Sequence, residues 1–193
     1  AHAVVVLGLN VVKGLTLCAT AFDMMRNAGM NELWRHSLGV AMTAHILGTK
    51  AAMKNPEEVF VAGLLHDIGK VVLYVKWPDV GQRITAVTRN TSQPLMDVEQ
   101  ELFEVTHADV GGWLASAWHL PTSLREPILH HHTPAAAQDA KLQTAIVHVA
   151  DVLVKGLACG NPGDNLVPPL SRQAWDLVGL DAQSLAHCLT QAT

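Results

Sequence analysis

Apolar and polar positions recur along this chain at helical spacing, and no stretch of useful length shows the period-2 alternation of a strand. Residues 10–27 read as one amphipathic helix that stops near Asn27 and Gly29, residue types suited to a helix C-terminus. Asn31 begins a second helix running to about Ala52. Asn55-Pro56-Glu57-Glu58 is a strong start signal: an N-cap, a proline at the first helical position and acids in the first turn. The helix it opens is apolar nearly all round through Tyr74, which makes it central and buried. Pro78 and Pro94 punctuate two further helices, roughly 79–90 and 94–105. Thr106 and Asp109 have capping-box spacing and open a helix whose inner face is Val110, Gly111, Leu114, Ala115 and Trp118. Ser123 and Glu126 repeat that spacing ahead of a run of histidines, and Thr133-Pro134 ends the element. Residues 138–156 form another helix closed by Gly156, Gly160 to Pro169 is a loop, and two short helices close the chain. The pattern predicts a single all-α domain, a helical bundle over residues 1–193, without repeats or low-complexity segments.

Composition narrows the function classes. At 193 residues and 49% hydrophobic, the chain suits one domain with a substantial core. Its formal net charge is −4, and Lys and Arg are scattered singly. That is neither the basic footprint of a nucleic-acid binder nor a polybasic stretch for anionic lipid. Cys18, Cys159 and Cys188 are widely spaced and form no CxxC, so free thiols in a reducing cytoplasm are expected. Lys13 interrupts the apolar residues 1–22, whereas a signal peptide carries its basic residues before the apolar stretch. No charge-free run reaches the roughly 18 apolar residues of a transmembrane helix. Ala1 to Leu9 reads as a helix already under way, so part of the fold is expected upstream of residue 1.

The chemistry lies in histidines and acids recurring in a fixed order: His36, His66-Asp67, His107, His130-His131-His132 and Asp151. Imidazole nitrogen and carboxylate oxygen together suit divalent iron, manganese, zinc or nickel. His66-Asp67 falls on the buried helix, where a carboxylate is costly unless paired or bound to a cation. Lys70 follows His66 by one helical turn and shares its face. Each piece has a plainer reading: Glu32 and His36 as a surface pair, His107 as a solvated helix start, the triple histidine as a surface run, Asp151 as the partner of His148. Their joint occurrence on successive helices is what points to a metal site. His2, His45, His119, His148 and His187 receive no role.

The order resembles the HD superfamily of metal-dependent phosphohydrolases, and the longer ligand set of its HD-GYP branch. More closely, the chain is similar to the HDOD domain, a bacterial signalling module. The resemblance rests on Leu33-Trp34-Arg35-His36-Ser37, Gly63-Leu64-Leu65-His66-Asp67-Ile68-Gly69-Lys70, His107-Ala108-Asp109-Val110-Gly111, Trp118-His119-Leu120-Pro121 and Ile128-Leu129-His130-His131-His132-Thr133-Pro134. It covers about residues 1–156 and implies an HD-like helical bundle. It implies that His36, His66, Asp67 and Asp151 hold one metal, that Asp67, His107, His131 and His132 hold a second, and that Asp67 bridges them. Glu32 is carried over as a further ligand, and Asp67 and Lys70 as the catalytic pair, with Lys70 neutralising charge on phosphoryl oxygens. The implied partners are receiver, diguanylate cyclase or phosphodiesterase domains, with a nucleotide as a further ligand and neither nucleic acid nor membrane. Thr133-Pro134 stands where HD-GYP phosphodiesterases continue with Glu and then Gly-Tyr-Pro, which counts against cyclic di-GMP hydrolysis. Many HDOD domains have lost ligands, whereas this chain keeps them all, which counts against inertness. Two expectations follow, a metal-binding regulatory domain and an active phosphohydrolase.

Overall fold

Each helix buries its apolar stripe against at least one other, and these contacts set the architecture. The computed structural model describes residues 8–91, 93–164 and 166–181, and every regular element among them is helical. In chain order these are α1 (Leu9–Asn27), α2 (Asn31–Lys50), α3 (Pro56–Leu65), α4 (Ile68–Lys76), α5 (Pro78–Asn90), α6 (Leu95–Phe103), α7 (His107–Ala117), α8 (Thr122–His130), α9 (Lys141–Gly156) and α10 (Arg172–Val178), with a 3-10 turn at Pro134–Ala136. The all-α expectation holds. The expected helical start over residues 1–7, the second closing helix, His2, His187 and Cys188 lie outside the described residues.

The core is centred on α2, α3 and α9. Val40, Ala41, Ala44 and Leu47 of α2 face Val59, Val61 and Leu65 of α3 and Ile146, Val149 and Ala150 of α9, all essentially without solvent contact. Each large aliphatic side chain buried there stabilises the fold by about 1.5–3 kcal/mol. Two glycines permit close approaches that bring His66-Asp67 near α2 and α7. A Cβ on Gly63 would stand 2.8 Å from the Ala41 Cα, so α3 lies directly on the α2 backbone. A Cβ on Gly69 would collide with the His107 carbonyl oxygen, so α4 and the start of α7 touch backbone to backbone.

The local structure corrects several expectations. The helix from Pro56 does not run on to Tyr74: it stops at Leu65, turns through His66-Asp67, and a new helix starts at Ile68. Pro56 and the two first-turn acids start α3, while the Asn55 side chain makes no capping bond. Thr106 and Asp109 do form a full capping box. Ser123 and Glu126 do not, because α8 begins at Thr122 behind Pro121 and the Glu126 carboxylate points elsewhere. It accepts hydrogen bonds from the backbone N–H groups of Gln138, Asp139 and Ala140, which pushes the start of the following helix to Lys141. Cys18 and Cys159 are free, and burial pushes the Cys18 thiol up to about 12, making it inert. Among the described residues no helix is long and apolar enough to cross a membrane.

Candidate metal centre

The last carbonyls of a helix lack intrahelical partners, and this chain uses two such ends to aim histidines inward. His66 caps the C-terminus of α3, and its Nδ1–H donates to the Gly63 carbonyl at 2.7 Å. His131 caps α8 in the same way, donating from Nδ1 to the Ile128 carbonyl at 2.9 Å. A carbonyl only accepts, so Nδ1 of each ring carries a proton and Nε2 is the nitrogen turned toward the acids. Those two Nε2 atoms are buried and find no hydrogen-bond partner within the protein. His36 arrives from the inner face of α2, His107 from the first position of α7, and Asp151 from α9.

Asp67 sits between them and presents a different oxygen to each side. Oδ2 lies 3.3 Å from His66 Nε2 and 3.9 Å from His36 Nε2. On that side Asp151 Oδ1 stands 3.0 Å from His36 Nε2 and 3.8 Å from His66 Nε2. Oδ1 lies 3.3 Å from His107 Nε2 and 3.8 Å from His131 Nε2. His132 completes this second side, its Nε2 3.0 Å from that of His107. Liganding atoms of His36, His66 and Asp67 lie within 4.8 Å of one another, as do those of His107, His131 and His132. Buried ring nitrogens of His36, His66 and His131 therefore face Asp67 Oδ1 and Asp151 Oδ1 with no hydrogen bond formed by any of these atoms. A divalent cation is the species that such a donor set fits.

Charged groups behind these side chains hold them in place. The Lys70 ammonium lies 2.8 Å from Asp67 Oδ2 and is almost wholly buried. Glu99 Oε2 accepts from the His107 backbone N–H at 2.8 Å and from its ring Nδ1–H at 2.6 Å. Lys155 approaches Asp151 Oδ2 at 3.9 Å. His148 donates from Nδ1 to the His131 carbonyl at 2.7 Å, and its Nε2 accepts from the Ser171 N–H at 3.0 Å. Burial holds the His36, His131 and His132 imidazoles below their ordinary range, keeping them neutral and able to bind metal. Burial acts the same way on His107, but the Glu99 and Asp67 carboxylates together outweigh it and raise that ring. Burial alone would raise Asp67 and Asp151. Nearby His66 and Lys70 hold Asp67 well below the usual carboxylate range, and His36 and Lys155 do so for Asp151.

The structure thus brings together His36, His66, Asp67, His107, His131, His132 and Asp151, with Lys70 beside them. Glu32 is not among the gathered residues: its carboxylate is exposed and pairs with Arg35 at 3.2 Å, one turn before His36, where it lines the larger cavity that Lys70 borders. His130 is only partly buried and does not join the set. Asp151 pairs with His36 and not with His148. Lys70 also borders two cavities, of about 680 and 450 Å³, and His107 and His132 reach the smaller one. Glu99, His148 and Lys155 went unassigned in the sequence. Glu99 hides in the acidic text Asp97-Val98-Glu99-Gln100-Glu101, although its place four residues after buried Leu95 marks it as facing inward.

Comparison with known proteins places this arrangement. The HDOD domain model matches residues 1–134. A curated protein of Treponema pallidum (strain Nichols), described as uncharacterized, is 27% identical over 145 residues, which is 75% of this chain and 28% of that protein. The chain therefore spans little more than a quarter of that relative. The crystal structure of an HDOD domain protein of unknown function from Geobacter sulfurreducens has a TM-score of 0.79 at 25% identity, covering 98% of this chain and 70% of its own. A Shewanella amazonensis SB2B protein, provisionally described as a phosphohydrolase, has a TM-score of 0.69 at 23% identity, with 98% and 71% covered. A Marinobacter aquaeolei VT8 protein, provisionally described as a signal transduction protein, has a TM-score of 0.68 at 19% identity, with 83% and 36% covered. The last two show a shared fold.

Proposed function

The chain belongs to the HDOD domain family, and from that membership we propose that it is a metal-binding regulatory domain of bacterial signal transduction. The observation that carries this reading is the burial of the ligand set: His36, His66, Asp67, His131 and Asp151 are each no more than 1% exposed. A cation there joins α2, α9 and the turns that follow α3 and α8, and so stabilises one arrangement of the bundle. His36, His66, Asp67 and Asp151 hold one divalent ion, and Asp67, His107, His131 and His132 hold the second. Iron, manganese, zinc and nickel all suit these donors. In this reading the domain works in the cytoplasm on receiver, diguanylate cyclase or phosphodiesterase partners, through the surface that the metal-ordered bundle presents.

A second reading, hydrolysis of a nucleotide phosphoester, is favoured by one feature. The 450 Å³ cavity reaches Lys70, His107 and His132, so a phosphoryl group seated there would meet the buried ammonium of Lys70. The bound metal would supply the activated water for such a reaction.

Elemental analysis of the full chain, purified without a His tag, tests the metal. Close to two divalent ions per chain is expected, and a protein that takes up none even on reconstitution rules out both readings. Loaded protein is then assayed with cyclic dinucleotides and phosphomonoesters. No turnover is expected, and turnover that disappears in Asp67→Ala with folding retained would favour the second reading over the first.

A further inference from the structure

The two sides of Asp67 are chemically unequal, and this inequality rests on the metal-centre reading while going beyond it. Oδ1 is approached by the imidazoles of His107 and His131, with His132 alongside. Oδ2 is approached by His36 and His66, and the further donor there is a carboxylate, Asp151. One side offers three imidazoles and one carboxylate, the other two of each. Imidazole suits zinc, nickel and iron, whereas carboxylate suits manganese.

The groups behind the ligands sharpen the difference. His66 and His131 lean on backbone carbonyls, while His107 leans on the carboxylate of Glu99. Glu99 grips its residue twice, through the ring at 2.6 Å and the backbone N–H at 2.8 Å. A carboxylate behind a ligating histidine orients the ring and raises its basicity. The Oδ2 side has no such carboxylate brace: the Lys155 ammonium is 3.9 Å from Asp151, while Lys70, 2.8 Å from Oδ2, also bears on His107 and His132 and so acts on both sides. The Lys155 charge offsets the extra carboxylate on the Oδ2 side and repels an incoming cation.

We infer that the Glu99-braced side, formed by His107, His131 and His132, is the tighter position and selects a nitrogen-preferring ion such as zinc, while the side formed by His36, His66 and Asp151 is the weaker position and accepts manganese. The centre is therefore built to hold two different ions, and Glu99 is a positioning residue for one of them.

The test uses the full chain, stripped with a chelator and titrated by calorimetry with zinc alone, then by native mass spectrometry with one equivalent each of zinc and manganese per chain, so that zinc cannot fill both positions. Two zinc steps of unequal affinity are expected, and one ion of each kind per chain from the mixture. Glu99→Gln keeps the shape and removes the charge; it should weaken the tighter step about 10- to 100-fold and leave the weaker step in place. Asp151→Asn should do the reverse. Circular dichroism checks that both variants fold, and the reciprocal pattern keeps the test decisive if one of them does not. Equal affinities in the parent chain, both steps moving together in Glu99→Gln, or loss of the tighter step in Asp151→Asn would overturn the inference while leaving the metal-centre reading standing. A parent chain that binds no ion would remove both.

Discussion

The Lys70 ammonium is 2% exposed and 2.8 Å from Asp67 Oδ2. Burial works against its charge, but the adjacent Asp67 carboxylate prevails and raises it above its ordinary value. Removing one partner of a buried ion pair leaves the other charge uncompensated, at about 3–5 kcal/mol. Lys70→Met should therefore lower the urea stability of the chelator-treated protein by about that amount. A divalent ion should restore part of the loss, since it supplies positive charge to the same carboxylate. A drop of under about 1 kcal/mol would show that the pair contributes little beyond a surface salt bridge. At this scale much of the centre was legible: histidines and acids on apolar helices are rare enough to stand out. Glu99 and His148 were harder to read, because one sits among other acids and the other acts through the carbonyl of His131.

Helix ends, not helix faces, do the aiming. The apolar run from Val59 to Tyr74 gives no periodicity signal for an interruption, so the sequence reads as one helix. The chain nevertheless breaks at His66-Asp67, where the His66 ring takes over the Gly63 carbonyl and Asp67 turns out of helical register with φ −98°. The break frees neighbouring side chains from the roughly 100° separation a continuous helix would impose. His131 repeats the device at the end of α8. The contact between α4 and α7 depends on Gly69, whose missing Cβ leaves room for the His107 carbonyl. Gly69→Ala must push His107 away from Asp67. It is expected to cost about 1–3 kcal/mol as an overpacked contact, and to weaken zinc binding more than Gly156→Ala, a position with open space around it. Equal zinc affinity in the two variants would show that the approach of α4 to α7 does not set the site.

Across the whole molecule, the pH response follows from the buried imidazoles. His36, His131 and His132 titrate lower in the folded chain than their ordinary value of about 6.5. The unfolded chain then binds more protons as pH falls below that value, so the stability these groups contribute is present above it and lost on acidification. Asp67 and Asp151 have the same sign at lower pH, since their folded values lie well below the usual carboxylate range. His107, raised by Glu99 and Asp67, has the opposite sign and contributes stability that fades as pH rises through its folded value. His148, also lowered by burial, makes four rings against one, and this balance predicts a urea midpoint for chelator-treated protein that falls between pH 7 and pH 5; a flat or rising midpoint would contradict it. The fold class, the helix boundaries set by Pro56, Pro78 and the Thr106 box, and the seven histidines and acids that the fold gathers could be read from sequence alone, because periodicity, capping and rare buried polar residues are local signals. Which oxygen of Asp67 faces which histidines, the exclusion of Glu32, and the bracing by Glu99 were decided only by tertiary packing, because they depend on where α2, α6, α7, α8 and α9 lie relative to one another.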